Sequence, residues 1–136
     1  MTVSGVREFD IPKILDDRGN LSFIEKGVDL NFDIKRAYWI YDVPGGEIRG
    51  GHAFKTQKEV IVALSGSFDV VLHDGVSSNR FHLNRSYKGI YVPEMYWRYM
   101  ENFSTNAVCL VLASTFYSTE DYIFDFESFI KLTQTK

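Results

Sequence analysis

Gly46-Glu47-Ile48-Arg49-Gly50-Gly51-His52-Ala53-Phe54-Lys55-Thr56-Gln57-Lys58-Glu59-Val60-Ile61-Val62-Ala63-Leu64-Ser65-Gly66 is the stretch on which the reading of the fold rests. Glycines stand at both ends, where tight turns need them. Between them, Gly51-His52-Ala53-Phe54-Lys55 reads as a strand, and the period of two along a strand gives His52 and Phe54 the same face. Val60 to Leu64 reads as the next strand, stopped by Ser65-Gly66.

Outward from this stretch the pattern repeats. Leu21 to Glu25 follows the turn signal Asp17-Arg18-Gly19-Asn20, Ala37 to Tyr41 runs into Pro44-Gly45-Gly46, and Ser67 to Leu72 ends at Asp74-Gly75. Phe81-His82-Leu83, Gly89 to Val92 and Ala107 to Ala113 continue the series. Short strands punctuated by Gly, Asp and Asn predict an all-β sandwich or barrel. The rhythm changes near the end: Thr119-Glu120-Asp121 is read as a helix cap, and Asp125 to Leu132 spaces its apolar residues as a helix does. The expectation is a β-barrel with a short C-terminal helical segment, folded as one domain over 1–136.

Composition narrows the function. Of 136 residues, 15 are basic and 18 acidic, giving a net charge of −3 with no basic block. This argues against nucleic-acid binding. No apolar run approaches the roughly 20 residues that span a bilayer, and Met1 to Arg7 lacks the pattern of a secretory signal. A soluble, cytoplasmic protein is expected. The single cysteine, Cys109, excludes an internal disulfide and a cysteine-based zinc site; its apolar neighbours make it a small hydrophobe in a buried strand. Eleven Phe, eight Tyr and two Trp suit either a core of large side chains or a pocket for a flat or sugar-like ligand.

The spacing of the opening stretch resembles the first motif of the cupin superfamily. Gly46, five residues, His52-Ala53-Phe54, four residues, Glu59, six residues and Gly66 match glycine, His-x-His, glutamate and glycine in every interval except that Phe54 replaces the second histidine. Gly89, Pro93, Arg98 and Asn102 match the second motif in spacing, with Arg98 where metal cupins carry their last histidine. The resemblance implies a cupin-type β-barrel (jelly roll). It also implies that no metal is held: His52 and Glu59 alone are a poor first-row site, and a guanidinium at a ligand position repels a divalent ion. His52 is then either a core histidine satisfied by Glu59 or a general acid and base suited to neutral pH. The motif position favours catalysis.

The flanks narrow the resemblance. Asp17-Arg18-Gly19-Asn20-Leu21, Ile34-Lys35-Arg36-Ala37-Tyr38, Arg49 to Lys55, Ser65-Gly66-Ser67, Val70 to Gly75, Tyr96-Trp97-Arg98 and Val111-Leu112-Ala113-Ser114 are similar to the metal-independent sugar-nucleotide cupins, nearest the WxcM-like dTDP-4-keto-6-deoxyglucose 3,4-ketoisomerases. The similarity runs from about Ile11 to Phe129. It implies a homodimer, often with an exchanged amino-terminal strand, that moves a ketone from C-4′ to C-3′ of a dTDP-linked 4-keto-6-deoxy sugar without cofactor. Such enzymes supply 3-amino-3,6-dideoxyhexoses for surface polysaccharide such as the O-antigen of lipopolysaccharide.

Carried over by position, His52 is the general base and acid, and Tyr38, or a water near it, is the candidate for the second proton. Arg98 and Arg18 are expected to border the sugar, at positions placed to choose between galacto and gluco products. Arg49 and Lys55 are candidates for the diphosphate, or else solvated strand-end charges. Trp97, with Trp39, Tyr41, Tyr91 and Tyr96, is a candidate for stacking on thymine or covering the sugar, against the alternative of core. Arg36 has no special claim. Two other readings stay open, a dTDP-sugar 3,5-epimerase-type enzyme and a non-catalytic nucleotide-sugar-binding cupin.

Overall fold

The computed structural model describes residues 5–27 and 30–134. Twelve strands follow in order: β1 Arg7–Asp10, β2 Lys13–Ile14, β3 Leu21–Ser22, β4 Arg36–Tyr41, β5 Arg49–Phe54, β6 Glu59–Ser65, β7 Phe68–His73, β8 Ser78–Leu83, β9 Lys88–Val92, β10 Trp97–Glu101, β11 Val108–Ala113 and β12 Tyr122–Ile123. Helix α1, Phe126–Gln134, closes the described chain. Two five-stranded sheets, β1-β9-β6-β11-β4 and β12-β5-β10-β7-β8, face each other, and β2-β3 forms a separate small pair. This is the all-β jelly-roll barrel with a helical tail that the sequence predicts.

Some boundaries differ. The run Leu21 to Glu25 contributes only the two residues of β3. The stretch Thr119-Glu120-Asp121 is a single 3-10 turn ahead of β12, and the helix starts later, at Phe126. Strands β1, β10 and β12 carry charge or lie beside it, which hides their alternation from a hydropathy reading. Among the described residues no helix is long and apolar enough to cross a membrane.

The alternation of the strands divides the burial. Inside the barrel, Ile61, Ala63, Phe68, Val70, Leu72, Ile90, Val92, Met100, Cys109 and Val111 form the main core. On the outer face of the first sheet, Ile11, Leu30 and Phe32 from the amino-terminal segment cover Val60, Val62, Tyr91 and Leu112. On the outer face of the second, α1 places Phe129 over Ala53 and Ile123, with Trp97 and Met95 beside them. Cys109 is buried and unpaired, and burial pushes its thiol up to about 12.

The turn between β6 and β7 depends on Gly66, at φ +66°. A Cβ there would sit 2.8 Å from the Ala107 Cα and against the Ser104 hydroxyl, which itself accepts the Ser67 N–H. Gly66→Ala is expected to cost about 1–3 kcal/mol, the usual penalty for a left-handed non-glycine residue. Urea unfolding of the two proteins measures it.

Candidate active site

Strand β5 places His52 on the inner face of the barrel, and β10 sets Arg98 directly opposite it in register. Between them the strand pair is irregular: Gly50 takes φ +77°, and its carbonyl accepts from Arg98 Nη1 at 2.9 Å. A side chain at Gly50 would meet the same Nη1, so the glycine lets the backbone reach the guanidinium. Arg98 is 1% exposed. Its Nε donates to Glu59 Oε2 at 2.7 Å and its Nη2 to Glu59 Oε1 at 3.1 Å, a two-pronged pair at the start of β6. The Nη2 also donates to the Tyr38 hydroxyl at 2.9 Å, and that hydroxyl donates to Glu59 Oε1 at 3.3 Å. The Gln57 amide adds a third donor to the same oxygen at 3.0 Å.

Glu59 is thus taken up by Arg98, Gln57 and Tyr38, which corrects the reading of His52 as a core histidine satisfied by Glu59. Among the described residues the buried His52 Nε2 has no hydrogen-bond partner. Aromatic rings surround the imidazole instead: Phe54 edge-on at 4.9 Å, Tyr122 at 4.9 Å and Phe124 at 6.4 Å. Tyr122 and Phe124 stack on each other, and Tyr117 meets Tyr122 at 5.8 Å. Desolvation first, and then the positive charges of Arg98 and Arg36, lower the His52 pKa to about 3. The imidazole is neutral at pH 7, the form a base needs.

Burial and the Glu59 charge push the Tyr38 phenol above its ordinary value. Burial alone would lower the pKa of Arg98, but Glu59 and Tyr38 outweigh it and the net shift is upward. The result is a fixed cation with its counter-charge already in contact. Such a pair does not fit a metal: Phe54 and Arg98 stand where two imidazoles would be needed, and Glu59 is committed to a guanidinium. Among the described residues no group of three or more His, Cys, Asp or Glu side chains is gathered as a cation site.

The predicted site residues divide. His52, Tyr38 and Arg98 come together. Trp97 does not: it alternates with Arg98 along β10 and packs outside the sheet against Phe126 and Phe129 of α1, so within the chain it is a packing residue. Arg18 lies in the β2–β3 turn, paired with Asp16 at 3.0 Å and 90% exposed in its side chain. Arg49 and Lys55 are exposed at the two ends of β5. Of the other aromatics, Tyr91 is core, while Trp39 and Tyr41 are exposed on the outer face of β4. A groove lined by Ile11, Phe23, Ile24, Val62, Leu110 and Leu112 lies behind the first sheet, away from His52.

The sequence reading missed Arg36, Gln57, Tyr117, Tyr122 and Phe124. The last two carry a signal, a period of two across Tyr122-Ile123-Phe124, hidden by the helix-like residues on either side. Arg36 lies two residues before Tyr38 on the same face of β4.

A two-sheet jelly-roll barrel with a neutral imidazole on its inner wall and a buried arginine–glutamate pair beside it defines a protein of the cupin class. The chain belongs to the WxcM-like, C-terminal family (FdtA), whose profile matches residues 4–134. It is 42% identical over 119 residues to a TDP-4-oxo-6-deoxy-alpha-D-glucose-3,4-oxoisomerase of Aneurinibacillus thermoaerophilus, covering 88% of this chain and 86% of the relative. A 3,4-ketoisomerase of Helicobacter canadensis superposes with a TM-score of 0.93 at 36% identity, over 96% of this chain and 98% of the other. The 3,4-ketoisomerase QdtA of Thermoanaerobacterium thermosaccharolyticum, as a mutant in complex with TDP-4-keto-6-deoxyglucose, gives 0.96 at 32% identity, over 99% and 98%.

Proposed function

We propose that the chain is a sugar 3,4-ketoisomerase, acting as one domain over 1–136 on a dTDP-linked 4-keto-6-deoxy sugar. The observation that carries this is the His52 imidazole, neutral and with an Nε2 that has no partner among the described residues, on a wall stiffened by Arg98, Glu59 and Tyr38. The relatives named as oxoisomerase and ketoisomerases support the substrate class.

His52 removes the proton on C-3′, next to the C-4′ ketone. The released electron pair forms the C-3′–C-4′ double bond and leaves the negative charge on the C-4′ oxygen. A proton passes from the C-3′ hydroxyl oxygen to the C-4′ oxygen, and reprotonation at C-4′ leaves the ketone at C-3′. Atoms and electrons balance within the sugar, so no co-reactant is consumed. A base of low pKa in the free protein is a weak one. The anionic substrate offsets the two cations beside His52, and the negative charge that develops in the reaction favours the imidazolium further. Tyr38 stays protonated and is assigned the second proton; its raised pKa makes it a reluctant donor, so most of the transfer falls to His52.

Arg98 acts by fixing Tyr38 and the Gly50 carbonyl. Arg18, Arg49 and Lys55 are assigned to substrate at the rim, where a diphosphate stays partly solvated. Exposed Trp39, Tyr41, Leu64 and Leu15 leave an apolar outer surface that a homodimer would cover. The same reading places the protein in the cytoplasm with a nucleotide-sugar pool, making precursors of surface polysaccharide. Incubation with dTDP-4-keto-6-deoxyglucose in D₂O, followed by NMR, is expected to give a 3-keto product carrying deuterium at C-4′. Deuterium at C-5′ would make the protein an epimerase, and tight binding without exchange would make it a binding module.

A further inference from the structure

Two guanidinium groups lie by the His52 wall, and their surroundings differ. Arg98 has a carboxylate in two-pronged contact and donates from Nε, Nη1 and Nη2. Arg36 has no carboxylate within ion-pair distance among the described residues. Its Nη2 donates to the Gln57 amide oxygen at 2.8 Å, and its buried Nε has no partner among the described residues.

The neighbours of Arg36 hold it in place without neutralising it. Its guanidinium carbon lies 5.0 Å from the Tyr38 ring centre and 5.4 Å from that of Tyr117. Gln57, 1% exposed, turns its oxygen to Arg36 and Thr115 and its nitrogen to Glu59. A neutral amide therefore separates Arg36 from the carboxylate that Arg98 uses. The ring contacts run on from Tyr117 to Tyr122 and from Tyr122 to His52, so Arg36 and the imidazole flank one chain of contacting aromatic rings. Each contributes a buried nitrogen with no partner among the described residues.

Proton removal beside a ketone needs a base and a charge for the oxygen that becomes negative. Arg98 supplies little for the second task, since its charge is compensated. We propose that Arg36 is a catalytic residue of the ketoisomerase reaction, its guanidinium binding the C-3′/C-4′ oxygens and stabilising the enediolate. This rests on the reading of the site as a ketoisomerase. Uncompensated positive charge disfavours an imidazolium before reaction and favours the anion that forms with it, so the ion pair forms only as the proton moves.

The test uses Arg36→Met, which keeps the apolar stem, with Arg36→Lys and Arg36→Ala beside it, each checked by circular dichroism and thermal melting. Arg36→Met is expected to lower kcat about 10²–10³-fold, the usual effect of removing one such donor. KM and the affinity for TDP are expected to change far less. Arg36→Lys is expected to regain part of the lost kcat, and added guanidinium ion part of the loss in Arg36→Ala, which a merely structural role would not permit. A folded Arg36→Met enzyme with kcat within threefold of the parent overturns the inference, as does a rise in KM and TDP dissociation constant at constant kcat. Absence of turnover by the parent enzyme would overturn the reading of the function instead.

Discussion

Replacing His52 with asparagine is expected to abolish measurable turnover while leaving TDP binding within a few fold of the parent. Asparagine keeps a polar group at the level of the imidazole Nδ1 but has nothing at the place of Nε2 and accepts no proton at any working pH. A positioned acid or base contributes roughly 10²–10⁴-fold, and His52 is asked to serve in both directions, which places the loss at the upper end. The aromatic ring contacts to Phe54 and Tyr122 are weakened as well, so thermal melting is measured alongside. Single-turnover assays in D₂O separate the outcomes: a folded, TDP-binding His52→Asn enzyme that still exchanges the C-3′ hydrogen at a tenth of the parent rate removes His52 from the mechanism. The same imidazole gives stability a pH dependence. Its folded pKa of about 3 lies below the unfolded 6.5. The unfolded chain therefore binds the proton more readily. This contribution is complete above about pH 6.5 and is lost as pH falls toward 3.

The second large effect is on the fold. Glu59→Leu strands the Arg98 guanidinium, 1% exposed, without its counter-charge. Removing one partner of a buried pair costs about 3–5 kcal/mol, which for a chain of this length lowers the melting temperature by on the order of 10 °C. The Gln57 amide and the Tyr38 hydroxyl lose the same acceptor. By contrast, the double variant Glu59→Leu/Arg98→Met exchanges the pair for packed apolar groups and is expected to recover most of that stability. Equilibrium denaturation of the parent, both single variants and the double variant gives the coupling directly. If Glu59→Leu melted within a degree of the parent, the pair would not be the buried junction described.

The motif around His52 and Glu59 made the barrel legible, because glycine spacing and apolar runs report on turns and inner faces. It also placed Arg98 near His52, since both motif positions converge in a cupin barrel. What Arg98 does there was not legible: spacing cannot tell a charge offered to substrate from one compensated by Glu59. Trp97 was misplaced for a related reason, since composition marks an aromatic as pocket or core while only register decides which face of β10 it takes. Arg36 escaped notice because its significance lies in a missing carboxylate, a property of three-dimensional neighbours. Arg18 is turned to Asp16, and Arg49 and Lys55 are exposed at the ends of β5, so their order along the sequence does not say whether they meet a ligand.

His52 sits in the first half of the chain, yet the rings around it, Tyr117, Tyr122 and Phe124, arrive near the end. In the order of synthesis, the imidazole precedes these rings by more than sixty residues. The pairing of β12 with β5 sets Tyr122 against the imidazole and so adds to the burial that lowers its pKa. A fragment that stops short of β12 lacks Tyr122 and Phe124, two of the rings that enclose the imidazole in the folded chain.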